Sequence, residues 1–359
     1  CCLYGSAAPR SQSVIDKWTQ LTIGANANIH RAVHKLAVDA TDEYESTRDA
    51  VKEYINAAAR EEIVFTSGTT GSINLVAFSF GETFVNKGDE IIVSESEHHS
   101  NLGPWQMLGQ RKGAVLRVLH VDEDGHLNLE ELKSLLNPKT RIVAVTQISN
   151  VLGILNPVKE IVSICHSTGC PVLIDGAQGM VHEGVDVQDV DCDFYAFSGH
   201  KLYAATGTGV LYGKRKWLDQ MVPYQGGGEM IATVRFSGTT YAPLPEKFEA
   251  GTQNINAIPT LEPAIEMLKL MKDKELLNAQ EAVSQYLLHA LTSNPRIRLY
   301  GVPRGTETKI PLFSFSVEGA HHEDLALILD KMGIAVRSGQ MCAEPLMDRF
   351  GVTGMLRAS

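Results

Sequence analysis

Between residues 63 and 212 the chain alternates short β-rich runs with helical patterns, and this alternation restricts the fold more than any other feature. The runs at 63–66, 91–93, 141–145, 171–174, 194–197 and 209–212 read as strands, with helical segments in most of the gaps. Parallel neighbours in a sheet need a crossover of a dozen or more residues, usually a helix. The pattern therefore predicts an α/β fold built on a mostly parallel, doubly wound sheet. In such sheets ligands bind beyond the carboxyl ends of the strands. The polar segments fall there: after Thr66, after Ser94, after Gln147, at Asp175, and from Ser198 to Lys201.

From Ala257 the pattern changes to one long amphipathic helical stretch reaching Asn294. Strand-like runs at 311–317 and 334–336, with a helix near 323–332, complete a smaller α+β unit. The expected division is a large domain over 15–255 and a small C-terminal domain over 256–359, with 1–14 packing near the small one. A length of 359 residues suits two domains. A 44% hydrophobic content is enough for a sizeable core. No run nears 18 apolar residues, so no membrane span is expected. A net charge of −10 argues against nucleic acid or an anionic membrane as a general partner. The opening residues lack the basic-then-apolar pattern of a secretion signal. Cys1, Cys2, Cys165, Cys170, Cys192 and Cys342 form no disulfide framework in a chain this long, and no spacing among them suits zinc. Reduced thiols in the cytoplasm, and no metal, are the expectation.

Chemistry concentrates at the strand ends. In Phe197-Ser198-Gly199-His200-Lys201 a lysine follows a strand directly. Gly199 permits close backbone approach, and Ser198 and His200 can bond an anion. Burial and nearby charge would free the amine, as a Schiff-base lysine requires, although a surface lysine has the same local sequence. Asp175, 26 residues earlier at the end of a neighbouring strand, can pair with a pyridinium nitrogen or cap a turn. The two together are more specific than either alone. Ser67-Gly68-Thr69-Thr70 lies between a strand and a helix, where N–H groups and two hydroxyls suit a phosphate or a plain helix cap. No Lys-Ser/Thr follows, so it is not a nucleotide loop. His98 can stack on a flat cofactor and move protons, or be structural. Cys342 lies in a glycine-bearing loop with Arg337 nearby, which fits an activated thiolate, though buried free cysteines are commonly inert. Arg357 can clamp a carboxylate through two N–H bonds.

Taken together these segments resemble the group II cysteine desulfurases, the Suf-type and selenocysteine-lyase-like branch of the class V aminotransferase superfamily. The resemblance runs from about Ser6 to Ser359. It is carried by Phe-Thr-Ser-Gly-Thr-Thr at 65–70, Glu-His-His-Ser-Asn-Leu at 97–102, the Ser-Asn spacing ending at Asn150, and Asp-Gly-Ala-Gln at 175–178. Asp-Phe-Tyr-Ala-Phe-Ser-Gly-His-Lys-Leu-Tyr at 193–203, Gly-Gly-Gly-Glu-Met-Ile at 226–231, Phe-Glu-Ala-Gly-Thr at 248–252 and Arg-Ser-Gly-Gln-Met-Cys-Ala at 337–343 follow in order.

The resemblance implies a fold type I, pyridoxal-phosphate (PLP) dependent transferase working as a homodimer. By it, Lys201 holds the cofactor and shuttles the Cα proton, Asp175 meets the pyridinium nitrogen, and Gln178 meets the ring hydroxyl. Thr69, Thr70, Ser198 and His200 hold the phosphate, joined by Thr252 from the other subunit. His98 stacks on the ring, and Asn150 and Arg357 take the substrate carboxylate. His30 and Arg31 border the site across the dimer interface. Cys342 attacks the sulfur of L-cysteine, with L-selenocysteine as the alternative substrate. Alanine and an enzyme persulfide result, and an acceptor protein takes the sulfur toward iron–sulfur cluster assembly. Against the family pattern, Gly5-Ser6-Ala7-Ala8-Pro9 lacks an Asp, Ala204-Ala205 replaces Gly-Pro, Gly71 replaces an acidic residue, and Gln340-Met341 stands where histidine is frequent. Family members continue with a further helix beyond the Arg-Ala-Ser string, so the chain reads as C-terminally truncated. Two other readings stand beside the desulfurase: another class V lyase with Cys342 incidental, and a non-catalytic scaffold for sulfur transfer.

Overall fold

A computed structural model describes residues 10–359 except 25, 272–273 and 304–308, with the backbone alone for 274–278. Cys1, Cys2 and the Gly5–Pro9 string lie outside the described residues. The strands are β1 (Ile63–Thr66), β2 (Glu90–Ser94), β3 (Val115–Leu119), β4 (Thr140–Thr146), β5 (Val172–Asp175), β6 (Phe194–Ser198), β7 (Gly209–Gly213), β8 (Ile231–Arg235), β9 (Gly238–Tyr241), β10 (Ile297–Tyr300), β11 (Phe313–Val317), β12 (Arg337–Gly339) and β13 (Met355–Ala358). The first seven form one sheet in the order β1-β7-β6-β5-β4-β2-β3. β3, β2, β4, β5 and β6 run parallel, and β7 is antiparallel to both its neighbours. This is the mostly parallel α/β sheet that the alternation predicts.

Helices cover both faces, so the central strands are buried on both sides. Successive residues point to opposite faces. Val172 and Ile174 join the larger apolar cluster, while Leu173 between them joins the second. The helix Leu261–Met271 buries Leu261, Ala264, Ile265 and Leu268 in the larger cluster. Met341, Ala343, Leu346 and Met347, on either side of Cys342, are buried there too. A second, antiparallel sheet has the order β10-β11-β13-β12.

Several segments differ from the sequence reading. The single helix expected over 257–294 is a short turn, Ile258–Thr260, and then two helices, Leu261–Met271 and Lys274–Thr292. Pro259 has no N–H for a continuing helical ladder, so regular helix begins beyond it. The strand expected at 334–336 lies at Arg337–Gly339. Ile334 is used instead to close the preceding helix, its N–H donating to Leu329 O at 2.9 Å beside Gly333 at φ 76°. The edge strand β3, the exposed hairpin β8–β9, and β10 and β13 of the second sheet are additional to the expected set. No described helix is long and apolar enough to cross a membrane.

Candidate active site

The carboxyl ends of β5 and β6 set the centre. Asp175 ends β5 and pairs in register with Ala196 of β6. It is 3% exposed, and Oδ1 accepts the Ala177 N–H at 2.9 Å. Burial raises its pKa, while the Lys201 charge and the Ala177 bond oppose the shift. Lys201 sits in the short turn Gly199–Leu202 directly after β6. The turn demands glycine at 199, because a Cβ there would lie 2.2 Å from Thr208 Oγ1. Burial lowers the Lys201 pKa, Asp175 opposes this, and Arg357 and Arg337 lower it further. The half-buried Lys201 thus has its pKa moved in the direction of the neutral amine.

Lys201 and Asp175 line a cavity of about 200 Å³. Thr69, Thr70, Ser198 and His200 line one end of it. The helix Thr69–Phe84 begins here, behind Gly68 at φ 147°. Thr69 donates its N–H to Ser198 Oγ at 2.7 Å, and Thr70 Oγ1 lies 2.7 Å from Ser100 Oγ. A helix N-terminus with clustered hydroxyls and an imidazole is an anion cradle. Burial lowers the His200 pKa.

Gln178 lines the same cavity, and so does His98, in the loop after β2. The Ser100 N–H donates to His98 Nδ1 at 3.1 Å, so the ring proton sits on Nε2. Burial, with the Lys201 charge next, pushes the His98 pKa down to about 4. The ring is therefore neutral at pH 7.

The opposite wall comes from the second sheet. Arg337 of β12 and Arg357 of β13 are register partners and both line the cavity with Asn150. Arg357 is 3% exposed and donates from Nη1 to Asn150 O at 2.7 Å. Among the described residues its buried Nε has no hydrogen-bond partner. Burial, and then Arg337, push the Arg357 pKa down to about 10. A buried guanidinium with a free N–H calls for an anion. The half-buried Cys342 lies at the rim, outside the lining, with Sγ 3.5 Å from Arg337 Nη2.

One cavity thus unites Thr69, Thr70, His98, Asn150, Asp175, Gln178, Ser198, His200, Lys201 and Arg357. Three predicted residues lie elsewhere in the chain. Thr252 lines a separate cavity of about 250 Å³ with Ser67 and Glu249. His30 Nε2 is 3.3 Å from Glu45, and Arg31 pairs with Glu229. The sequence reading gave Arg337 no place in the wall and passed over Ser100, Thr146 and Glu97. Glu97 is 2% exposed and bonds Ser94 Oγ, Thr146 N–H at 2.9 Å and Asn101 Nδ2 at 2.7 Å. Burial pushes its pKa up to about 8. Its only sequence signal was its place beside His98.

The family model for class V aminotransferases matches residues 3–359. A curated cysteine desulfurase of Pectobacterium atrosepticum is 46% identical over 355 residues, which is 99% of this chain and 86% of the relative. The solved cysteine desulfurase CsdA of Escherichia coli superposes with a TM-score of 0.87 at 39% identity, over 98% of this chain and 86% of the other. The apo cysteine desulfurase of Thermococcus onnurineus superposes with a TM-score of 0.91 at 35% identity, over 100% of this chain and 89% of the other. The chain belongs to the class V aminotransferase family and, within it, to the cysteine desulfurases.

Proposed function

We propose that this chain is a PLP-dependent enzyme that takes sulfur from L-cysteine, releases L-alanine and leaves the sulfur as a persulfide on Cys342. The observation that carries the reading is one cavity in which a buried carboxyl, a half-buried lysine, an anion cradle and an arginine with an unpartnered N–H meet beside a half-buried thiol.

The residues fit the cofactor by the chemistry of their donor set. Asp175 offers a buried oxygen to a pyridinium N–H, Lys201 offers an amine to an aldehyde, and the Thr69–Thr70 helix start with Ser198 and His200 offers donors to a phosphate. Gln178 would meet the ring hydroxyl and His98 would lie on the ring face. When bound, PLP acidifies the substrate Cα–H and stores the electron pair.

The chain's own residues do the rest. Arg357 and Asn150 hold the substrate carboxylate, which orients the Cα–H toward Lys201. Lys201, whose pKa burial lowers, takes that proton. Neutral His98 presents its Nε2–H to the site as a donor. The Cys342 thiolate forms an S–S bond to the substrate sulfur as the substrate C–S bond breaks, and Arg337 stabilises its charge from 3.5 Å. The atoms balance: L-cysteine and the Cys342 thiol become L-alanine and a Cys342 persulfide.

The reading extends to a cytoplasmic homodimer in which Thr252, His30 and Arg31 serve the partner's site, within the Suf-type branch. A sulfur-acceptor protein would unload Cys342 for iron–sulfur cluster assembly. Alanine release from L-cysteine, with reductant, by the native chain and by Cys342→Ala tests it. Release by the native chain alone supports the proposal. Release by both removes Cys342 from the mechanism and leaves a lyase of the selenocysteine type. Release by neither sinks the desulfurase reading and favours a scaffold.

A further inference from the structure

The segment that bears Cys342 has an unusual backbone. Met341 and Cys342 stand in succession at φ 55° and 59°, the left-handed region that residues with side chains enter only when their surroundings hold them there. Burial and hydrogen bonds hold them. The Met341 side chain is 2% exposed, and Ala343 is fully buried. Asn150 Nδ2 donates to Met341 O at 2.8 Å. Two more hydrogen bonds run through His99. Its N–H donates to Cys342 O at 2.7 Å, and its Nε2 accepts the Glu344 N–H at 3.1 Å. Because Nε2 accepts, the His99 ring proton sits on Nδ1.

We propose that His99 is the positioning residue for the Cys342 thiol, the joint that fixes the sulfur-receiving segment to the loop carrying His98. This rests on the desulfurase reading for what the thiol does. His98 and His99 are consecutive, and one turn serves both walls of the cavity. His98 turns its ring into the cavity, while His99 grips the main chain just beyond the Cys342 Cα, at Cys342 O and at the Glu344 N–H on either side of Ala343. Sulfur transfer needs the two sulfurs within roughly 3–3.5 Å in line, so a displacement of about an ångström in this segment matters. Proton removal at the substrate Cα uses Lys201 and does not need the thiol. His99 therefore acts on one half of the reaction only. A histidine that merely decorated a surface turn would act on neither half, and one that held the fold together would act on both.

The test uses the PLP-loaded native chain, His99→Ala and His99→Gln. The first rate is exchange of the L-alanine Cα proton for deuterium, which reads Lys201 without the thiol. The second is single-turnover persulfide formation on Cys342 from L-cysteine. His99→Ala is expected to keep exchange within about twofold and to slow persulfide formation about tenfold. His99→Gln, whose Oε1 can accept the Glu344 N–H, is expected to recover most of that loss. Equal losses in both rates, or no loss in either, would overturn the proposal, as would a glutamine variant no better than alanine. If the native chain itself forms no persulfide, the desulfurase reading fails, and alkylation of Cys342 by iodoacetamide then decides about His99. A rate changed severalfold in His99→Ala and restored in His99→Gln keeps the proposal, whereas an unchanged rate rejects it.

Discussion

The two sheets hold their parts of the site in different ways. Asp175, Ser198 and Lys201 sit at or just past the ends of β5 and β6, strands buried along their whole length. Their positions follow from the sheet itself. In the smaller sheet, β12 is partly exposed throughout, and the neighbouring helix His322–Lys331 has no buried residue. Arg357 stands on the buried strand β13, but the Cys342 segment gains its fixed place from bonds to the first sheet's loops: Asn150, itself bonded to Arg357, to Met341, and His99 to Cys342 and Glu344. The proposed cofactor half is intrinsic to the parallel sheet, and the proposed sulfur half depends on a few long-range links.

The largest effect should come from the intrinsic half. On the proposed mechanism Lys201→Ala removes the amine for the cofactor and the base for the Cα proton, and should lower alanine release about 10³-fold or more. Circular dichroism should show the fold retained. Cys342→Ala should also abolish alanine release, yet leave cofactor absorbance and Cα-proton exchange close to native. If the cysteine variant loses the cofactor as well, the two halves are not separable and the comparison fails.

Arg357→Lys probes the link between the halves. It keeps the charge but loses the planar fork. We expect kcat/KM for L-cysteine to fall about 10- to 100-fold, mostly through KM, equivalent to about 1.4–2.8 kcal/mol. Steady-state kinetics checks this, and an unchanged KM would remove Arg357 from carboxylate binding.

How much of this was legible in the sequence follows the same divide. Asp175, Ser198 and Lys201 were readable because strand periodicity fixes what lies at a strand end, and their flanking strings are local. The thiol segment was not. Cys342 looked like part of a glycine-bearing loop, but its backbone is held by contacts such as Asn150 to Met341, 191 residues apart, which no local pattern encodes. Arg337 was seen as a neighbour of the thiol, but not as a register partner of Arg357, because that pairing depends on a strand displaced by three residues from its expected place. Thr252, His30 and Arg31 came from the resemblance alone, and one chain does not bring them to the cavity. Glu97 was passed over because carboxylates are so rarely buried that composition argues against it.

Glu97 also gives the smallest effect, one that reads the rigidity of the cofactor half directly. Its partners, Ser94, Thr146 N–H and Asn101, are all neutral, and burial lifts its pKa from 4.5 to about 8. The sign follows from linkage. In the unfolded chain Glu97 ionises near its ordinary value, whereas the native site keeps it protonated. The native state therefore binds more protons between about pH 5 and pH 8, and stability falls as pH rises through that window. The loss levels off once the native carboxyl ionises too. Glu97→Gln cannot ionise and escapes this loss, whatever constant offset its amide brings. Urea unfolding of the two proteins from pH 5 to pH 8 should show the native chain losing stability relative to Glu97→Gln by a few kcal/mol at most. A difference that stays flat with pH would mean that water or a shifted strand end relieves the burial, and that the cofactor half is less rigid than its buried strands imply.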